Sequence, residues 1–264
     1  MEALKPDGDV YCETLWISDV HLGNINSKAD HLLQLLKRVH CKKLYLVGDI
    51  VDFWSMQRRV HWPEAHNAVL RELLKKSRCG VKVIYIPGNH DQNVREFCGS
   101  QFGNVIIKER VEHFTQDGRR FLVIHGDELD FAVRYSRINR WIGDFAYDTV
   151  MMLNRLLNHL RSITGRPYWS LAGWLKSHVS QAEQAIQAYQ DAAVRLARDE
   201  GYDGIICGHL HHPLVKLYDD VLYCNDGDWV ENCTALLEDS RGVLQLVKAV
   251  STDASTDKLM LAAV

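Results

Sequence analysis

Seven residues of this chain carry the donor atoms that divalent metals prefer: Asp19, His21, Asp49, Asn89, His125, His209 and His211. They lie in five short motifs: Asp19-Val20-His21, Gly48-Asp49-Ile50-Val51-Asp52, Gly88-Asn89-His90-Asp91, His125-Gly126-Asp127 and Gly208-His209-Leu210-His211. Together they form a mixed carboxylate and imidazole set, large enough to ligate two ions with one carboxylate shared. Two such cations about 3.5–4 Å apart suit in-line attack on phosphorus, because they stabilise both the attacking and the leaving oxygen. A water between the ions would lose a proton near neutral pH and become the nucleophile, so no side chain needs to attack. Imidazole nitrogen mixed with oxygen fits Mn²⁺, Fe²⁺ or Zn²⁺ and fits Ca²⁺ poorly. Burying this many polar groups without a metal would be costly.

The elements that must position these residues are legible as well. Each motif ends an apolar run that reads as a buried strand: 14–18, 44–47, 82–87, 120–124 and 204–207. Strand ends of an open α/β sheet converge on one edge, where such folds place their sites. Between the strands, 29–40 reads as a helix with Leu32, Leu33, Leu35, Leu36 and Val39 as its apolar stripe. A second helix is expected over 63–77, with Pro63 near its start and Gly80 just after its end. Strand and helix in alternation predict a sheet with helices packed on it. From Phe131 to Glu200 the period becomes helical, with one stripe through Phe145, Leu153, Leu156 and Leu160. A second stripe runs from Leu171 to Leu196, with Gly201 as its C-cap. Strand signal returns at 214–217, 221–224, 234–237 and 243–247, and the segment from Ser251 is expected to be a disordered tail.

The five motifs, in this order and over about residues 14–235, resemble the calcineurin-like metallophosphoesterases. Within them the chain is similar to the UDP-2,3-diacylglucosamine hydrolase group of bacteria. The likeness lies in the compact motif spacing, the long helical insertion between His125 and His209, and the closing segment Asn225-Asp226-Gly227-Asp228-Trp229-Val230-Glu231. The resemblance implies an α/β fold: an αββα sandwich of two mixed sheets over residues 11–250, with a helical lid inserted at about 131–200. It places the strands after Pro213 in the second sheet. It implies that Asp19, His21, Asp49 and His211 hold one metal and that Asp49, Asn89, His125 and His209 hold the other, with Mn²⁺ first and Fe²⁺ or Zn²⁺ as alternatives. His90 takes the catalytic role of stabilising the transition state or protonating the leaving oxygen. Asp52 would orient His90 and hold its charge, an acid–imidazole pair suited to general-acid work. The hydrolase group often has Arg at the position of His90, so this chain departs from the group there. Asp127 and Asp91 are expected to support the site by hydrogen bonds rather than as ligands.

Charge and composition narrow the partners. The net charge of −3 supplies no global basic field, so no nucleic-acid partner is expected. No apolar run reaches about 18 residues, and Met1–Val10 lacks the apolar stretch of a signal peptide. Seven cysteines without a Cys-x-x-Cys pair favour a reducing, cytoplasmic setting. Cys207 reads as a core residue, and the His residues outside the motifs read as surface or ordinary packing. Between Phe131 and Ser180, Arg134, Arg137, Arg140, Arg155, Arg161, Arg166 and Lys176 stand against only Asp144 and Asp148, among Trp141, Phe145, Tyr147, Tyr168, Trp169 and Trp174. A basic and aromatic cap suits a small-molecule or lipid-linked nucleotide diphosphate, and gives a peripheral contact with the inner membrane. No protein partner is expected. The function so read is a pyrophosphatase of UDP-2,3-diacylglucosamine or a related lipid, by attack of a metal-bridging hydroxide. The alternatives are another binuclear phosphoesterase (cyclic-nucleotide, phosphomonoester or nuclease activity) and a non-catalytic scaffold.

Overall fold

Apolar runs such as Leu44-Tyr45-Leu46-Val47 have no polar face, so both sides of their sheet must be covered. A computed structural model describes residues 8–131, 158, 180–253 and 256–263. In chain order its elements begin with β1 (Val10–Ile17), α1 (Ala29–Arg38), β2 (Val39–Val47), α2 (Phe53–Arg58), α3 (Glu64–Arg78) and β3 (Lys82–Ile86). Then follow β4 (Gln101–Phe102), β5 (Val105–Ile107), β6 (Val111–Phe114), β7 (Arg120–Val123) and α4 (Ser180–Asp199). The chain closes with β8 (Gly204–Cys207), β9 (Leu214–Tyr218), β10 (Val221–Asn225), β11 (Thr234–Glu238), β12 (Leu244–Asp253) and β13 (Thr256–Ala263).

The larger sheet has the order β13-β12-β11-β1-β2-β3-β5-β4, and the smaller has β6-β7-β8-β10-β9. Both are mixed. β1, β2, β3 and β5 run parallel, with Leu15 opposite Leu44 and Leu44 opposite Val83. β7, β8 and β10 are the parallel centre of the second sheet. Alternation along each strand then divides the side chains between two cores. Trp16, Tyr45, Val47, Ile84 and Ile86 meet Phe121, Val123, Ile206 and Cys224 between the sheets. Leu15, Ile17, Leu44, Leu46 and Val83 pack on the other face with Leu32, Leu35 and Leu36 of α1 and Val69 and Leu73 of α3. In α4, Tyr189, Ala193 and Ala197 are buried at helical spacing, and Gly201 (φ +73) follows its end.

Several boundaries differ from the sequence reading. The first helix stops at Arg38, and Val39 and His40 open β2, because Val39 pairs with Val10 at the start of the parallel ladder. β9 and β10 lie in the smaller sheet as expected. β11 and β12 do not: β11 pairs antiparallel with β1, Thr14 opposite Glu238, and β12 pairs with β11. Residues 251–253 and 256–263, read as disordered from their small polar composition, are strand residues here, through the pairing of β12 with β13. Contacts divide the chain into Met1–Asp127 with Ala193–Val264 and, separately, Glu128–Ala192. Most of the inserted segment, with its basic and aromatic cluster and its first helical stripe, lies outside the described residues. Among the described residues no helix is long and apolar enough to cross a membrane.

Between the sheets, away from the motif loops, sits a buried polar network. Glu238 accepts hydrogen bonds from Thr14 Oγ1 (2.7 Å), His113 Nε2 (3.1 Å) and the Gln116 amide (2.7 Å), and Tyr45 Oη meets His113 Nδ1 at 3.1 Å. Burial pushes the Glu238 carboxyl up, but these donors outweigh it and hold it below the usual glutamate range. Its stabilising contribution is therefore present above the unfolded pKa and is lost as pH falls through the folded value. Glu238→Ala is expected to cost about 2–4 kcal/mol at pH 7, because it strands His113 and Thr14 without an acceptor. In urea denaturation the gap to the parent should narrow below the unfolded glutamate pKa of about 4.3. An equal gap at both pH values would show that packing alone is lost.

Candidate metal centre

Each motif begins where a parallel strand stops. β1, β2, β3, β7 and β8 end one or two residues before Asp19, Asp49, Gly88, His125 and His209. There the backbone turns sharply. Asp19, His21, Asp49, His209 and His211 are five of the seven described non-glycine residues with positive φ, between 50° and 66°. A left-handed non-glycine residue costs on the order of 1–3 kcal/mol and persists where surrounding contacts over-determine it. Those contacts are visible: the Asp19 amide donates to Gly48 O (3.0 Å), the His21 amide to Asp49 O (2.9 Å) and the Gly208 amide to His125 O (3.1 Å). Glycine is required where the loops close in. A Cβ on Gly88 would strike the Asp49 carboxylate and the His125 ring, and one on Gly48 (φ +80) would also strike His125.

The donor atoms gather in three overlapping groups: Asp19, His21 and His211; His21, Asp49 and His90; Asp49, His125 and His209. Within each group the atoms lie within 4.8 Å of one another. Asp49 belongs to two groups. His211 Nε2 is 3.1 Å from Asp19 Oδ1, and His125 Nε2 is 3.5 Å from Asp49 Oδ2. His21 Nε2 lies 3.9 Å from both Asp19 Oδ1 and Asp49 Oδ2. His90 stands beside His21 and Asp49, whereas the sequence reading kept it outside the ligand set.

These residues pass a test for a cation. Asp19 Oδ1, Asn89 Oδ1 and His125 Nε2 are buried and make no well-aligned hydrogen bond, Asp19 Oδ1 having only its ion pair with His211 and His125 Nε2 only that with Asp49. A buried unsatisfied polar atom costs about 1–3 kcal/mol, so these atoms call for a partner outside the protein. His125 donates its Nδ1 proton to Val47 O (2.8 Å), which turns its Nε2 toward Asp49 Oδ2 at 3.5 Å. Oxygen from Asp and Asn mixed with imidazole nitrogen is a donor set for a divalent transition ion.

The charges fit the same reading. Burial pushes Asp19 up, but His211 and His125 pull it down to about 2. Asp49 is likewise lowered against its burial by His125 and His21. Burial lowers His21, yet Asp52, Asp49 and Asp19 together raise it to about 9. The same carboxylates that raise His21 create a demand for positive charge that a divalent cation would meet. Asp52 links both sides of the pocket: Oδ2 meets His21 Nδ1 at 3.3 Å and Oδ1 meets His90 Nδ1 at 2.9 Å. It also caps α2 through the Ser55 amide (2.8 Å). The pairing of Asp52 with His90 follows the sequence reading; its hold on His21 was not foreseen.

Other supporting residues were missed. Trp54 lies over His90 with ring centroids 4.4 Å apart, and His90 meets His21 edge-on at 4.7 Å. Behind Asp19, the Ser18 hydroxyl lies 2.5 Å from Asp19 Oδ2 and 2.7 Å from Asp226 Oδ1. One hydroxyl proton cannot serve two carboxylates. Burial, with the charge of Asp19 adding to it, pushes Asp226 well above the carboxylate range. That direction favours the neutral form of Asp226, which would donate to Ser18 while Ser18 donates to Asp19. The Trp229 amide donates to Asp19 O (3.0 Å) and Asn225 Nδ2 to Gly208 O (2.6 Å). The signal that could have found this brace is the polar run Asn225–Asp228 directly after an apolar strand. Asp91, which the sequence reading did expect as a support, accepts from the Gly88 amide (2.6 Å) and the Ile50 amide (2.9 Å), tying two motif loops together. Asp127 pairs with Arg95 at 2.7 Å.

The chain is similar to known proteins in both sequence and fold. Residues 13–213 match the model of a family described as calcineurin-like phosphoesterase. A UDP-2,3-diacylglucosamine hydrolase of Shewanella loihica is 25% identical over 84% of this chain and 91% of its own length. A protein of the same name from Cellvibrio japonicus is 26% identical over 76% of this chain and 82% of its own. A solved Vps29 single mutant from Entamoeba histolytica has 12% identity and a TM-score of 0.48, over 95% of this chain and 97% of its own.

A carboxyl whose folded pKa is raised binds more protons when folded, so it subtracts stability as pH rises above its unfolded pKa. Asp226→Asn mimics the neutral acid and removes that penalty. In metal-free protein this variant should be at least as stable as the parent at pH 8 and should lose less stability between pH 5.5 and 8, read by urea denaturation. Destabilisation at pH 8 would mean that Asp226 is ionised in the folded state.

Proposed function

This chain belongs to the calcineurin-like phosphoesterase family, and we propose that within it the protein is a pyrophosphatase of UDP-2,3-diacylglucosamine or a closely related lipid-linked nucleotide diphosphate. The phosphoryl chemistry rests on the paired donor groups around Asp49 with their stranded oxygen and nitrogen atoms. The substrate class rests on relatives of that name that match over most of both chains.

In this reading Asp19, His21, Asp49 and His211 hold one divalent ion, and Asp49, Asn89, His125 and His209 hold the second, with Mn²⁺ the first choice. Bound there, such a pair supplies Lewis acidity toward phosphoryl oxygens and lowers the pKa of water. His90 delivers a proton to the leaving phosphate oxygen. Its Nδ1 hydrogen is engaged by Asp52, so Nε2 is the atom that meets the substrate. Trp54 backs the His90 ring and limits its rotation. Cleavage of the diphosphate would give UMP and a lipid monophosphate. The basic and aromatic composition of the inserted segment suits an amphiphilic diphosphate and a peripheral membrane contact.

A second reading draws on His90 itself. The diacylglucosamine hydrolases often carry Arg there, so a general phosphoesterase acting on phosphomonoesters or cyclic nucleotides is the competing activity.

A substrate panel separates the two. With Mn²⁺ and detergent, the lipid diphosphate should be hydrolysed with a kcat/KM at least roughly a hundredfold above that for a bis-aryl phosphate, since remote binding energy drives the chemical step. No turnover of the lipid, with cyclic nucleotides or aryl esters cleaved, would favour the second reading. For the site itself, His90→Ala should retain two ions per chain by elemental analysis while kcat falls by roughly 10²–10⁴. Asp49→Ala should lose both ions. Loss of metal in His90→Ala would reassign His90 as a ligand.

A further inference from the structure

Cys12 on β1 and Cys41 on β2 are direct partners in the parallel ladder. Both are half-buried, and both pack against the apolar layer that carries α1 and α3. Partners in adjacent strands lie about 4.8 Å apart, inside the Cα–Cα window of about 4.4–6.8 Å for a disulfide. The two thiols are close enough to shift each other's acidity.

Above them sits a buried cation. Lys76 of α3 is 8% exposed, and its Nζ donates to Val39 O at 2.6 Å. Among the described residues no carboxylate pairs with it. A buried ammonium needs compensating negative charge, and a thiolate at Cys41 can supply it. The Cys12 S–H donated to Cys41 and the charge of Lys76 together hold the Cys41 thiol below its usual range, against burial. Its hydrogen bond to Cys41, then burial, push Cys12 up. The pair is thus asymmetric: one sulfur is a nucleophile and the other is a neutral donor.

We propose that Cys12 and Cys41 form a redox-active cross-strand dithiol that closes reversibly to a disulfide on reaction with a small-molecule disulfide. The Cys41 thiolate attacks one sulfur of the oxidant, forms a mixed disulfide and expels the first thiolate. Cys12 loses its proton to solvent and attacks Cys41 Sγ, which forms the Cys12–Cys41 bond and expels the second. The protein gives up two electrons and the oxidant becomes two thiols. Strand spacing exceeds the Cβ–Cβ distance of about 3.8 Å that an unstrained disulfide prefers. The product is therefore strained and easily reduced, as suits a reversible switch. It would tie together the starts of the two strands whose far ends carry Asp19 and Asp49.

The test uses the reduced full-length protein with glutathione disulfide at pH 7.5, followed by peptide mapping under non-reducing conditions. The expected product is a linked pair of peptides containing Cys12 and Cys41, released by dithiothreitol. Cys12→Ser should stop at a glutathione adduct on Cys41, and Cys41→Ser should leave Cys12 unmodified. Iodoacetamide should modify Cys41 roughly tenfold faster than Cys12, following thiolate fraction. Lys76→Gln should slow that reaction while Lys76→Arg preserves it. Adducts confined to the exposed Cys79, or equal alkylation of Cys12 and Cys41, would overturn the proposal.

Discussion

A buried carboxylate must find positive charge, and the Asp49 side chain organises this molecule around that need. Asp49 is 2% exposed. Its Oδ1 accepts the His90 amide at 2.8 Å, and its Oδ2 faces His125 and His21 at 3.5 Å and 3.9 Å. Asp19 and Asp52 repeat the demand on either side. Three carboxylates with their charge held in a nearly dry space would repel one another apart unless cations intervene. Imidazolium protons meet the demand in part, and divalent ions would meet it fully while releasing those protons.

The backbone is shaped by the same requirement. Five residues at the site accept left-handed φ angles because only a sharp turn at a strand end brings a side chain back over the sheet edge. That strain is held by cross-loop amide bonds and by carboxylates used as fasteners. Asp91 clips the Gly88 loop to Ile50, and Trp229 clips its own loop to Asp19. Glycines stand where the rings and carboxylates come too close for a Cβ. The Ser18 and Asp226 relay shows one more device. A neutral acid behind the site supplies a hydrogen bond without adding charge to a region that already has too much.

At the other end of the same strands, polar groups are used more sparingly. Glu238, His113, Thr14 and Tyr45 close a satisfied network between the sheets, and Lys76 lies buried beside two thiols. The sheet therefore carries charged chemistry at one edge and a dithiol near the other. Along β1 and β2 the apolar side chains of Leu15, Ile17, Leu44 and Leu46 lie between the two.

The sequence by itself determined the donor residues, the strands that carry them and the family. A local rule suffices there: a strand buried on both faces is a continuous apolar run, and a polar motif at its end can only sit at the sheet edge. The pairing of Asp52 with His90 was implied by the family resemblance, not by that rule. Only tertiary structure decided partners far apart in the chain. Strand order placed β11 beside β1 rather than in the smaller sheet, and only then does Glu238 meet Thr14. Register set Cys12 opposite Cys41 across 29 positions, and α3 laid Lys76 on the same sheet face. The reach of Asp52 to His21, the tilted contact of Trp54 with His90 and the raised pKa of Asp226 depend on distances of a few ångströms and on the exclusion of water. Neither is written in the order of residues, because both arise only when separate loops are pressed together.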